Sequence, residues 1–246
     1  MYLADAFHAA LADVHWGRAT GGHVWALIAD STEWNPWRDQ AWQMLDGAER
    51  SRVERMRSLE ARETLVIAYA LHRLLLGRFL DMPAQSVPVW RDSLGCPRVG
   101  EGLASASLSH AGTLIALAAG PSRPLGVDIE PASRATVMAE IAESICQPAE
   151  LDAILALPAG DRAPALLSLW TRKEAILKAL GIGFSQGDMT GFAVPTGGGE
   201  YLHPSGERLR MTSLNRNIDW VAALASAPGD SVEFFGLTPP RGPVPA

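Results

Sequence analysis

The sequence predicts an α+β fold in two parts, each setting helices against a sheet that is mostly antiparallel. Three observations carry this. A long segment, residues 60–80, has Leu65, Ala68, Leu71 and Leu75 at helical spacing and is followed by short strand-like runs. Gly120-Pro121-Ser122-Arg123-Pro124 then breaks the chain. Beyond the break the plan returns, with a strand, helices including a long one, and further strands. The chain has 246 residues, 48% hydrophobic and 20% charged, enough to bury a sizeable core as one large domain or two smaller ones. The expected division is 1–122, 123–238 and a proline-rich tail, 239–246.

Taken in order, residues 23–29 read as a strand, and Trp34-Asn35-Pro36-Trp37 reads as a turn whose tryptophans, with Trp42, are packing groups. Asp46, a favoured N-cap residue, starts a helix running to 56. The helix 60–80 follows, then strands near 87–91, 105–109 and 113–119. In the second part a strand over 125–130 leads to helices over 136–146, 149–157 and 163–180, the last closed by Gly181 in the position of a C′ glycine. Strands near 190–194, 207–214, 219–225 and 232–237 are expected to form one mostly antiparallel sheet. Pro239, Pro240, Pro243 and Pro245 make the tail extended.

Composition excludes several classes. No apolar run approaches the ~18 residues of a membrane span, and the start, Met1-Tyr2-Leu3-Ala4-Asp5-Ala6, lacks the features of a signal peptide. Cys96 and Cys146 have no zinc spacing, so reduced thiols in the cytoplasm are expected. A net charge of −6 argues against a general nucleic-acid binder.

The chain contains two lysines, Lys173 and Lys178, while its other nineteen basic residues are arginine. Lysine is a compact charge with a movable pKa, arginine a fixed planar fork. Glu174 and Lys178 stand one helical turn apart, which suits either a catalytic pair or a plain surface ion pair. Lys173 lies about 100° away around the helix, and its exchange for arginine is expected to cost little. In Leu125-Gly126-Val127-Asp128-Ile129-Glu130 the two carboxylates share a strand face, as a solvated strand end or as a cation site. With Glu174 they make three carboxylates, a ligand set for a hard cation such as Mg²⁺. Ser109-His110 lies beside an aliphatic strand. No G-x-S-x-G elbow accompanies it, so a hydrolase reading is weak and phosphate binding suits the pair better.

Leu108-Ser109-His110, then Gly126-Val127-Asp128-Ile129-Glu130, then Trp170-Thr171-Arg172-Lys173-Glu174-Ala175-Ile176-Leu177-Lys178-Ala179-Leu180-Gly181, in that order, resemble the surfactin-type (Sfp-type) 4′-phosphopantetheinyl transferases. The resemblance covers about residues 45 to 195. It implies two similar α/β halves related by a pseudo-twofold axis, with the site between them. It implies transfer of the phosphopantetheine arm of coenzyme A to a serine of an apo acyl, polyketide or peptidyl carrier protein, releasing 3′,5′-ADP. Carried over, Asp128, Glu130 and Glu174 resemble the ligands of Mg²⁺, with Mn²⁺ also possible. Glu174 also resembles the general base, acting directly or through water, and Lys178 the lysine on the coenzyme A phosphates. Ser109, His110 and Thr64 resemble phosphate-side contacts. Gly95-Cys96-Pro97-Arg98 stands where the family often has Gly-Lys-Pro, so Gly95 and Pro97 shape the loop while Arg98, Arg52 or Arg55 replaces the missing charge. The family expectation is a monomer, and composition predicts no membrane or nucleic-acid partner.

Acidic carriers would need an uncharged meeting place on this acidic chain, for which Val137, Met138, Ile141, Ile182 and Phe184 are candidates. The rival readings are another metal-dependent phosphate enzyme, such as a phosphohydrolase using the same carboxylates, and a non-catalytic module that binds coenzyme A or a carrier.

Overall fold

The computed structural model describes residues 1–14, 22–121, 124–182, 188–195, 198–214 and 218–241. In the first part, α1 (Leu3–Ala10) precedes β1 (His23–Asp30), α2 (Ser31–Trp34), α3 (Arg38–Met44), α4 (Gly47–Glu54) and the 22-residue α5 (Leu59–Leu80). β2 (Val89–Arg91), β3 (Pro97–Val99), β4 (Ser105–Ala111) and β5 (Leu114–Gly120) complete it. The second part holds β6 (Leu125–Pro131), α6 (Ala135–Met138), α7 (Ala142–Ile145), α8 (Pro148–Leu155) and α9 (Ala159–Ala179). It ends with β7 (Gly199–Leu202), β8 (Arg208–Ser213), β9 (Trp220–Ser226) and β10 (Ser231–Gly236).

The fold is α+β, as expected, with one four-stranded sheet ordered β10-β1-β5-β4, another ordered β6-β9-β8-β7, and a small β2-β3 ribbon. All pairings among the described strands are antiparallel except that of β1 with β10. The expectation that 232–237 would join the second sheet is therefore corrected: this strand returns to the first part and lies parallel to β1.

The alternation of β1 explains the layering. Trp25, Leu27 and Ala29 join an apolar cluster with α1, α3 and α5. Val24, Ala26 and Ile28 join a second cluster with Leu125, Val127 and Ile129 of β6 and Ala222 and Leu224 of β9. Successive strand residues point to opposite faces, so the two sheets share a middle core, and helices cover their outer faces. α9 covers the second sheet through Leu166, Leu169, Ala175 and Ile176, packed with Leu209, Met211, Ala223 and Ala225.

Local signals account for the element ends. Asp46 caps α4, its side chain accepting from the Glu49 amide while Glu49 reaches back to the Asp46 amide. Ser58 caps α5, which Asp81 ends in the left-handed conformation at φ 53°. Gly181 follows α9 with φ 67°, as the C′ reading required.

Other elements differ from the sequence reading. α1 was not expected; it buries Leu3, Ala6 and Phe7 at i, i+3 and i+4. The helix expected over 136–146 is split into α6 and α7 by a 3₁₀ turn at Ala139–Ile141. α9 starts before Pro164, a proline that removes one backbone donor near the helix start. Residues 190–194 form no strand, only the end of a 3₁₀ turn and coil. Lys173, which is fully buried, instead takes the carbonyls of Met189 and Phe192 at 2.6 and 2.9 Å. Its Nζ also donates to the Ile145 carbonyl at 2.7 Å and to Glu150 Oε2 at 2.6 Å. The reading of Lys173 as a replaceable neighbour of the site is thus overturned. It ties α7, α8 and the segment after α9 to the middle of α9.

Candidate active site

The site begins with a glycine. A Cβ on Gly126 would lie 2.0 Å from the Ala175 carbonyl oxygen and 2.4 Å from the Ala179 amide. Only glycine lets β6 approach α9 so closely. Leu125, Val127 and Ile129 face the middle core, so Gly126, Asp128 and Glu130 face the helix. That contact sets Asp128 and Glu130 against Glu174 and Lys178, which the helical repeat places on one side of α9.

The three carboxylates share one feature. Asp128 Oδ1 accepts from Lys178 Nζ at 2.6 Å and from Ser109 Oγ at 2.7 Å, while Oδ2 is buried without a partner. Glu130 Oε1 accepts from Arg134 at 2.6 Å and from the Trp170 indole at 3.2 Å, while Oε2 is buried without a partner. Glu174 Oε1 is likewise buried and unpaired. Unpaired buried carboxylate oxygens are costly, and an all-oxygen set of this kind fits a hard divalent cation. As they stand, no three acidic, histidine or cysteine side chains among the described residues already form a ready metal cluster.

Burial, reinforced by the charge of Asp128 and opposed by Lys178, pushes the Glu174 carboxyl up to about 7. Burial and Asp128 also raise Glu130, against Arg134. The sign follows directly. Between its ordinary value of 4.5 and about 7, folded Glu174 holds a proton that the unfolded chain has released, so its contribution to stability falls as pH rises through that window. His72, fully buried and lowered to about 3 by desolvation, works in the opposite direction below pH 6.5. The effect of Glu174 is therefore read as a difference. Without divalent cations, Glu174→Gln should melt progressively higher than the unaltered protein as pH rises from about 5 to about 8. Excess Mg²⁺ should shrink that gap at the upper end. A gap independent of pH in thermal melts would show that Glu174 is not forced to carry charge.

Glu174 and Lys178 line a cavity of about 510 Å³ whose other walls include Arg91, Gly95, Pro97 and Arg98 of the first part. Exposed Trp90 also lines it. A smaller compartment of about 260 Å³ shares Lys178, Arg91 and Gly95 with it and adds Arg52, Tyr69, Ser109 and His110. Among the described residues, no carboxylate lines this second compartment. Ser109 and His110 are adjacent on a pleated strand. The serine turns to Asp128 and Lys178, while the imidazole sits on the side of Leu65 and Tyr69. Burial and the charges of Lys178, Arg91 and Arg52 lower the His110 pKa. The imidazole is therefore neutral near pH 7 and ready to gain a proton when an anion enters.

The remaining expected residues divide. Gly95, with φ 82°, turns the loop beside Arg52, whose guanidinium would lie 3.2 Å from a Cβ there. Arg55 lines a neighbouring compartment of about 310 Å³ with Arg52, Trp90 and Arg91. The structure does not bring Thr64 to these walls: it is buried in α5, its hydroxyl 3.1 Å from that of Ser31. Arg98 lines the large cavity but is committed to Asp92 Oδ2 through Nε at 2.9 Å and Nη2 at 2.6 Å. Among the candidate uncharged residues, Met138 is fully buried in the outer core, which corrects its reading as surface. Val137 is exposed, Ile141 and Ile182 pack partly against the same core, and Phe184 lies outside the described residues.

One residue the sequence reading missed is Arg91. Its guanidinium stacks over Tyr69 at 4.7 Å and donates to the Gly95 carbonyl at 2.9 Å, while Nε is buried without a partner. It lines all three compartments. The available signal was an arginine ending a short strand four residues before Gly95. Arg134 was missed too. It lies four residues after Glu130, holds it, and stacks over Trp170 at 5.1 Å.

Two comparisons with known proteins show similarity to one family. The chain is 27% identical over 168 residues to the 4′-phosphopantetheinyl transferase HetI of Nostoc sp. strain PCC 7120, covering 67% of this chain and 70% of that protein. Arg52, Arg91, Ser109 and His110 precede the stretch matched by a family model, whereas the three carboxylates and Lys178 fall within it. Residues 124–220, from β6 through α9 to the start of β9, are similar to the 4′-phosphopantetheinyl transferase superfamily.

Proposed function

We propose that this protein is a surfactin-type 4′-phosphopantetheinyl transferase that uses coenzyme A and Mg²⁺ to modify a serine of an apo acyl, polyketide or peptidyl carrier protein. The observation that carries this reading is the set of three carboxylates, each with a buried oxygen lacking a partner, beside Lys178, which lines both the larger cavity, with Glu174, and a second compartment lined by no carboxylate among the described residues. Asp128, Glu130 and Glu174 would hold the cation, Mg²⁺ or Mn²⁺, which offsets the charge of the diphosphate when bound.

The carrier serine Oγ forms a bond to the β-phosphorus of coenzyme A. The bond from that phosphorus to the bridging oxygen breaks, and 3′,5′-ADP leaves with the electron pair. The serine proton passes to Glu174, directly or through water; a bound cation would lower the pKa of this carboxylate, which makes a cation-bound water the alternative base. Lys178 lends positive charge to the diphosphate. Ser109, bonded to both Lys178 and Asp128, fixes their relation. Arg52, Arg91 and His110 hold the 3′-phosphate in the smaller compartment, with Gly95 and Pro97 shaping its edge. In this reading Arg91 and Arg52 supply the charge missing at Cys96, because Arg98 is paired with Asp92. The protein acts as a cytoplasmic monomer, with one part for the donor and one for the catalytic carboxylates. No helix among the described residues is long and apolar enough to cross a membrane.

The direct test is the intact mass of a panel of apo-carriers after incubation with coenzyme A and Mg²⁺. One or more should gain a single phosphopantetheine with the unaltered protein and none with Asp128→Ala. Release of 3′,5′-ADP from coenzyme A without a carrier would instead identify a phosphohydrolase. Binding of coenzyme A with no turnover on any carrier would identify a binding module.

Donor contacts are tested separately. A charge-assisted hydrogen bond contributes roughly 1.5–3 kcal/mol, so His110→Ala and Arg91→Met should each raise the KM for coenzyme A about tenfold or more. Neither should much change the KM for dephospho-coenzyme A. Equal losses with both donors would remove these residues from the 3′-phosphate.

A further inference from the structure

Lys178 carries a second consequence. Its ammonium sits on Asp128 Oδ1 at 2.6 Å and is steadied by Ser109 Oγ at 2.7 Å, inside the cleft where Asp128, Glu130 and Glu174 keep unpaired oxygens. The side chain is 27% exposed, so it is held by these two bonds rather than walled in. Lys173, by contrast, is at 0% and cannot leave. Among the described residues the cleft has a second cation, Arg134, but it is on Glu130 Oε1, while Arg91 points to the Gly95 carbonyl and Tyr69. Among the described residues, Lys178 is thus the cation paired with Asp128, reaching it from the α9 side.

We propose that Lys178 is the counter-ion of Asp128 in the carboxylate cleft before substrate binds, and that a diphosphate substrate loads the divalent cation by drawing this lysine away from Asp128. This rests on the cation-site reading above. The physics is competition between like charges for one set of oxygens. An ammonium on Asp128 repels an incoming cation and uses one of its oxygens. A diphosphate within reach of Lys178 offers the ammonium another anion, frees Asp128 Oδ1, and itself supplies oxygens to the cation. The two ligands therefore bind with positive coupling, and the coupling is reciprocal. Ser109 serves as a positioning residue that keeps the ammonium on Asp128 until the donor arrives.

The test reads metal binding rather than turnover. Free Mn²⁺ is followed by electron paramagnetic resonance at about pH 8, with and without coenzyme A, for the unaltered protein, Lys178→Met, Lys178→Gln and Asp128→Asn. Thermal melts and circular dichroism establish that each variant is folded. In the absence of coenzyme A, both lysine variants should bind Mn²⁺ about tenfold or more tightly than the unaltered protein, a shift of about 1.4 kcal/mol. Coenzyme A should tighten Mn²⁺ binding strongly in the unaltered protein and less in the lysine variants. Affinity that is unchanged or weaker in both lysine variants, while Asp128→Asn still loses binding, overturns the counter-ion role and leaves the cation site standing. Mn²⁺ affinity indifferent to Asp128→Asn overturns both.

Discussion

Gly126→Ala is expected to lower the melting temperature by about 6–12 °C and to reduce kcat at least about a hundredfold. The added methyl would meet the Ala175 carbonyl at 2.0 Å and the Ala179 amide at 2.4 Å. Both are backbone atoms of a helix, which cannot rotate aside as a side chain does. Ordinary overpacking costs about 1–3 kcal/mol, and here β6 and α9 must separate, so the cost belongs at or above the upper end. For a chain of this size about 3 kcal/mol corresponds to the stated melting shift. The same separation moves Glu174 and Lys178 away from Asp128. A misplacement of about 1 Å at a reacting centre can cost about a hundredfold in rate. Melts and kcat of purified Gly126→Ala decide it. A variant that melts and turns over like the unaltered protein would mean that the close approach of strand and helix is not required.

The second large effect separates the two lysines. Lys173→Met should cost about 3–5 kcal/mol, the usual result of removing one partner of a buried ion pair. It would strip the cation from Glu150 and leave the carbonyls of Ile145, Met189 and Phe192 without their shared donor. Lys173→Arg should also destabilise, because a planar fork is forced into a closed space shaped for a point donor. Lys178→Arg should instead leave the melt nearly unchanged, since this side chain reaches solvent, but lower kcat about a hundredfold, equivalent to about 2.7 kcal/mol of barrier. The comparison is melting temperature and kcat for each lysine variant at saturating coenzyme A and carrier. A Lys173 variant that melts normally, or a Lys178 variant with full kcat, would reverse the assignment.

The carboxylates were legible in the sequence for a simple reason. Residues i and i+2 share a strand face and i and i+4 a helix face, so Asp128 with Glu130, and Glu174 with Lys178, follow from spacing alone. The capped start of α4 at Asp46 and the stop of α9 at Gly181 are equally local. Arg91 and Lys173 were not legible because their roles depend on partners distant in the chain. Arg91 matters through Tyr69 and the compartments it lines, and Lys173 through Ile145, Glu150, Met189 and Phe192. Thr64 shows the converse. Its place in a helix could be read, but not that the helix face carrying it packs onto Ser31.

The sequence by itself determined the α+β class, the main helices and strands, and the acidic and basic residues that can serve phosphate chemistry. These rest on periodicity, capping and residue type, which act over a few positions along the chain. Only the tertiary structure decided that β10 returns to β1. It alone decided that one lysine is a buried tie while the other lies in the cleft, and that Gly126 brings β6 against α9. Those outcomes depend on which surfaces meet across long sequence separations. There, burial and the need to satisfy each polar group select among alternatives that local sequence leaves equal.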